Sequence, residues 1–230
     1  MERASIERIE RAGVFRNLTP TDLARGATIA VQQGKLRIRP GWDRLVNVVR
    51  NTGGSVEVVS VNWSRVFIRA ALNTAFPLIA SKEQSDMTVD VVANDIDEDG
   101  SGRITRPLGG SDGGIWTSAD KLRLVSQQAT PPHPPDSSHI VYVGDSVTDL
   151  GCLTVPGVVG IIVRNETGGL SSEQRELKVT LDRLDEIQVK HVKDFDASEW
   201  MPAGLSRTLY WAHDFNEICQ SPIFAMIESE

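Results

Sequence analysis

The run Val141-Tyr142-Val143-Gly144-Asp145-Ser146-Val147-Thr148-Asp149 places two carboxylates four residues apart, just past an apolar segment that reads as a strand. Hard oxygen ligands of this kind suit Mg²⁺, which takes one or two carboxylates and completes its shell with water and substrate phosphate. The same spacing fits Asp145 as a helix cap and Asp149 as a solvated acid in the first turn. Local chemistry leaves both readings open. Upstream, the apolar segment Val58-Val59 ends in Ser60. Its hydroxyl could donate to a phosphate oxygen, or cap the helix that begins just beyond. Between the two lies Lys121, in the first turn of a helix opened by Thr117-Ser118-Ala119-Asp120. An ammonium there is a point-charge partner for phosphate, and equally an ordinary surface lysine.

Other constellations carry less. Asp95, Asp97, Asp99 and Gly100 match the first half of a calcium loop. The eighth position, however, is Gly102 and the twelfth is Arg106, where a branched apolar residue and a bidentate Glu are required. The segment follows a strand, and it reads as an acidic turn in a hairpin. His133 and His139 adjoin a proline-rich run, His191 and His213 are isolated, and no Cys/His cluster has zinc spacing. Cys152 and Cys219 read as reduced thiols. Trp42, Trp63, Trp116, Trp200 and Trp211 read as packing residues, with Trp63 also placed to line a site mouth.

The elements that must position these groups follow from periodicity. Residues 1–36 read as helices, one of them started by Thr19 as cap, Pro20 in the first helical position and Asp22 at the amide end. Arg39-Pro40-Gly41-Trp42 opens an amphipathic helix with Leu45, Val46, Val48 and Val49 on one face, ended by Gly53-Gly54. Strands are expected at residues 56–60, 87–93, 139–143 and 158–163. Helices are expected at residues 64–72 and 118–127, the second capped by Ser118. Residues 101–116 read as a hairpin or irregular excursion, and the proline-rich residues 130–138 as a loop. Residues 209–215 read as a strand and then a helix that complete the sheet. Short apolar strands alternating with helices predict an α/β fold with a parallel sheet covered on both faces. Ligands in such sheets bind beyond the carboxyl ends of the strands, where Ser60 and Asp145 both fall.

The formal net charge of −7 and a pI near 5.2 argue against a nucleic-acid partner. No run approaches the roughly 20 apolar residues that span a bilayer, and the polar start is unlike a secretory signal. A soluble, cytoplasmic protein is expected, with no membrane partner.

The order of Ser60, Lys121 and Gly144-Asp145-x-x-x-Asp149 resembles the second, third and fourth motifs of the haloacid-dehalogenase (HAD) superfamily, nearest to its phosphoserine-phosphatase-like branch. The resemblance covers roughly residues 39–165. It implies a three-layer Rossmann-like sheet over residues 39–230, with residues 1–38 as part of a helical cap. It also implies Mg²⁺-dependent hydrolysis of a small phosphorylated metabolite. Ser60 and Lys121 would act on the transferring phosphate, with Asn62 also binding it. Asp145 would ligate magnesium, and Asp149 would ligate it or orient Lys121. The family's Asp-x-Asp-x-Thr motif is not found ahead of the cap-like helices. Its absence predicts a truncated phosphatase or a non-catalytic phosphate- and Mg²⁺-binding or protein-interaction module. It also predicts an open sheet edge that a second copy or a partner chain covers. Asp194-Phe195-Asp196-Ala197-Ser198 matches the missing pattern superficially, but the charged run 188–193 before it reads as an edge strand and loop.

Overall fold

The computed structural model describes residues 3–77, 89–105, 115–129, 140–165, 171–184, 186–196 and 208–227. In chain order these form α1 (Arg3–Ala12), α2 (Pro20–Gln32), α3 (Trp42–Asn51), β1 (Glu57–Val59), α4 (Arg65–Ala75), β2 (Asp90–Val92), β3 (Asp95–Ile96) and β4 (Ile104–Thr105). There follow α5 (Ser118–Ala129), β5 (Ile140–Gly144), α6 (Leu150–Leu153), β6 (Val158–Val163), α7 (Ser172–Leu181), β7 (Gln188–His191), β8 (Thr208–Ala212), α8 (Phe215–Gln220) and α9 (Pro222–Ile227). The proline-rich residues 130–138 and the glycine-rich residues 109–114 lie outside the described residues. The chain divides into two units: residues 1–38 with 53–120, and residues 39–52 with 121–230. This division differs from a single boundary at residue 38.

In the first unit, α2 starts where its residues predict. The Thr19 hydroxyl accepts the Asp22 amide, the Asp22 carboxylate takes the Thr19 amide, and Pro20 occupies the first turn. Helix α4 is capped by Ser64, which accepts the Phe67 amide and is buried. Ser64→Ala removes that acceptor from a site closed to water. It is expected to lower unfolding free energy by about 1 kcal/mol, measured by urea denaturation. Strands β1 and β2 pair in parallel, Glu57 opposite Asp90 and Val59 opposite Val92. Beyond them the fully buried Asn94 donates to the carbonyls of Asn62 and Ile115, tying the strand end to two loops.

Strands β3 and β4 form the expected hairpin, Asp95 opposite Thr105. The acidic residues serve the turn. Asp95 pairs with Arg65 at 2.8 Å, and Asp99 accepts the Ser101 amide at 2.8 Å. Gly102 has φ +75°, and a Cβ there would run into the backbone of Phe15 and Arg16, so the loop needs glycine twice over. Among the described residues no three acidic side chains gather here as a metal site.

The second unit contains a four-stranded, all-parallel sheet in the order β5-β6-β8-β7. Inner strand β6 is buried at every position, as its unbroken Val-Val-Gly-Ile-Ile-Val run requires. Strand β7, Gln-Val-Lys-His, lies at one edge, in keeping with its polar sequence. Leu153, Ile162, Leu177, Leu181 and Leu209 form one core cluster, and Val125, Cys152, Val155 and Val158 another. Gly160 lets α6 lie directly on β6, since a Cβ there would collide with the Leu153 carbonyl oxygen. At the start of α3, Gly41 takes φ +81° and packs against Asn216.

The α/β class is observed, with one revision to the sheet. The strand ending near Ser60 was expected in the same parallel sheet as the Asp145 strand. Among the described residues β1 pairs with β2 alone, and the described strands make three separate sheets. Strand partners are chosen by contacts far apart in sequence, which apolar runs do not encode. The cap of α5 is likewise Thr117, not Ser118: the Thr117 hydroxyl accepts the Asp120 amide, and the Asp120 carboxylate takes the Thr117 amide.

Candidate functional site

The loop after β5 is built around Asp149. Its carboxylate lies in the 3-10 turn Val147–Asp149 and is buried. One oxygen accepts the Lys121 ammonium at 2.7 Å and the Tyr142 hydroxyl at 2.8 Å. The other accepts the amides of Asp145 and Ser146 and the Ser146 hydroxyl, at 3.3, 3.2 and 2.8 Å. Gly144 makes this possible, because a Cβ at that position would press into the Asp149 side chain. Five donors on two oxygens occupy the carboxylate's lone pairs.

The electrostatics follow from burial. Desolvation alone pushes the Asp149 carboxyl up, but the Lys121 charge and the bonds from Lys121, Ser146 and Tyr142 outweigh it. The net effect holds Asp149 below the ordinary carboxylate range, so it is ionised at neutral pH. Burial, then the Asp149 charge, pushes the Tyr142 hydroxyl up, which keeps it a donor. Burial also raises the neighbouring Cys152 thiol, which stays protonated and unreactive. Lys121 sits with 7% of its surface exposed, so it is not a surface lysine. Among the described residues it has one hydrogen-bond acceptor, Asp149, for three N–H groups.

Asp145 faces the other way. Its side chain is 56% exposed and meets Arg39 at 3.3 Å. Arg39 also donates to Asn165 at 3.0 Å, so one guanidinium bridges the loops that leave β5 and β6. Ser146 and Thr148 share a hydroxyl–hydroxyl bond of 2.7 Å in the same loop. These groups gather at the carboxyl end of the parallel sheet, the usual place for a ligand in this architecture.

Of the residues the sequence singles out, Lys121, Asp145 and Asp149 come together within the second unit. Ser60 and Asn62 belong to the first. There the Ser60 hydroxyl accepts the Asn62 amide, and the Asn62 side chain accepts the Ser64 amide, which builds the turn into α4. Tyr142 and Arg39 were missed. The signal for Tyr142 was a lone hydroxyl in an aliphatic strand. Arg39 left none, since its partners lie 106 and 126 residues away. As a magnesium pair, Asp145 and Asp149 fit unequally. Asp149 is taken up by its five donors, which suits the orientation of Lys121. Asp145 is more than half exposed and its described ion-pair partner is Arg39.

The chain is 27% identical over 227 residues to a CTO1 family protein of Schizosaccharomyces pombe, a match covering 94% of this chain and 73% of that protein. It is 25% identical over 224 residues to the mitochondrial bifunctional TH2 protein of Arabidopsis thaliana, covering 94% of this chain and 33% of that protein. The chain therefore spans about a third of the TH2 protein's length. No protein-family model matches, and neither does any solved structure. These findings overturn the HAD assignment drawn from motif order: the relatives carry CTO1 and TH2 names, neither of which indicates that superfamily or a phosphatase. What the comparisons establish is similarity, along nearly the whole chain, to a CTO1 family protein and to part of a TH2 protein.

Proposed function

We propose that the carboxyl ends of β5 and β6 bind a phosphorylated small molecule, with Mg²⁺ held at Asp145. The observation that carries this reading is that Arg39 bridges Asp145 and Asn165 while Asp149, four residues past Asp145 in the same loop, holds the buried Lys121. Two cations and two carboxylates balance there, so a phosphate dianion gains no net attraction and meets an outward carboxylate at Asp145. A divalent cation at that carboxylate supplies the missing positive charge. Arg39, released from Asp145, offers a planar pair of donors that matches a phosphate edge. The Asn165 side-chain amide adds a neutral donor.

Calorimetric titration with p-nitrophenyl phosphate tests the reading, with and without Mg²⁺. Nitrophenolate release, followed in the same samples, separates binding from turnover. Binding is expected to require Mg²⁺ in the native protein. Asp145→Asn should lose that requirement, and Arg39→Gln should weaken binding about tenfold, the value of one charge-assisted hydrogen bond. Both positions are solvent-accessible, so neither variant threatens the fold. Affinity that is indifferent to Mg²⁺ and to both substitutions contradicts the proposal.

A further inference from the structure

A recess in the same unit opens between β6 and α7. It encloses about 100 Å³ and is lined by Ile162, Arg164, Gln174, Leu177, Lys178 and Leu181. Ile162, Leu177 and Leu181 give it aliphatic walls, and Arg164, Gln174 and Lys178 bring polar groups. The three aliphatic residues belong to the core cluster, so this end is apolar. Gln174 is spent on the protein: its amide nitrogen donates to the Val163 carbonyl, and its oxygen accepts the Ser171 amide. That leaves Arg164 and Lys178 to face an incoming molecule.

The two cations differ. Lys178 is exposed and pairs with Asp182 at 2.6 Å. Arg164 lies over the Trp211 ring, 5.0 Å from its centroid, and is partly buried. Asp182, held by Lys178, is near enough for its charge to offset part of the cost of burying Arg164, but among the described residues no carboxylate lies within ion-pair distance of it. Strand register fixes this arrangement, since Ile162 stands opposite Trp211 and the Arg164 amide donates to the Ala212 carbonyl. A stacked guanidinium held on an aromatic face keeps its N–H edge free, and that edge matches a carboxylate in bidentate fashion.

We infer that this recess is a binding site for a short aliphatic carboxylate, its head on Arg164 and its tail among Ile162, Leu177 and Leu181. Size supports a small tail: a cavity of about 150 Å³ lined by such residues takes a benzene ring, so about 100 Å³ takes a branched chain of roughly four or five carbons. Charge supports the head, because an anion gives Arg164 the partner that its partial burial calls for. None of these six residues takes part in the proposed phosphate site.

The test uses the full chain, ¹³C-labelled at its Ile and Leu methyls, titrated with isovalerate. Isoamyl alcohol, which has the tail without the charge, and acetate, which has the head without the tail, are the comparators. Saturable shifts are expected at Ile162, Leu177 and Leu181, with a dissociation constant on the order of millimolar for so small a ligand. Each comparator should bind at least about tenfold more weakly. Arg164→Met should show the same loss with an unchanged melting temperature. Isoamyl alcohol binding as well as isovalerate, or shifts confined to other methyls, overturns the proposal. The comparators test the wild-type protein, so the result stands even if Arg164→Met does not fold.

Discussion

Asp149→Ala is expected to lower the unfolding free energy by about 3–5 kcal/mol, the usual result of breaking a buried ion pair by removing one partner. The substitution strands the Lys121 ammonium in a site where its one described acceptor was Asp149. It also leaves the Tyr142 hydroxyl and the amides of Asp145 and Ser146 without their shared acceptor. Lys121→Met should lose less, because the carboxylate it leaves behind still accepts four bonds. In Lys121→Met/Asp149→Ala the lone ammonium is gone, so the double variant should recover part of the single Asp149 loss. Urea denaturation of the three variants checks this order. The pH dependence has a definite sign. Asp149 titrates below its unfolded value of about 3.9. Its contribution is therefore complete above that pH and is lost as pH falls through the folded value. Stability should fall below about pH 4, and fall less in Asp149→Asn.

Leu153→Ala should lower stability by about 2–5 kcal/mol. Leu153 is fully buried and packs with Ile162, Leu177, Leu181 and Leu209. Its helix α6 is only four residues long and rests on β6 through Gly160, where no side chain can move in to fill the space. Collapse into the cavity would need the backbone to shift, so the loss should lie toward the upper part of that range. A melting curve with unchanged slope in urea would show that the native state lost packing and kept its extent.

Local chemistry was legible in the sequence and long-range pairing was not. Thr19, Pro20 and Asp22 announce a helix start, because a capping box is complete within four residues. Val158–Val163 announces an inner strand, because only a strand buried on both faces is apolar at every position. The polar β7 announces an edge. By contrast, the apolar run before Ser60 looks like the one before Asp145, yet the two strands lie in different sheets. Ser60, Lys121 and the twin acids are common residues whose order suggested a family that the relatives do not support. Within the site, the Lys121–Asp149 link was foreseeable as one of two roles for Asp149. The bridge by Arg39 was not, since nothing near Pro40 points toward Asp145.

Phosphate is expected to bind at the Arg39–Asp145 bridge, on the residue 144–149 loop that the Lys121–Asp149 pair supports. The most direct measurement follows backbone amide and lysine ammonium resonances of the full chain as p-nitrophenyl phosphate is added with Mg²⁺. The claim predicts that the amides of Asp145 and Ser146 and the Lys121 ammonium shift first and saturate together. Saturable shifts at other positions, with these three unmoved, contradict it.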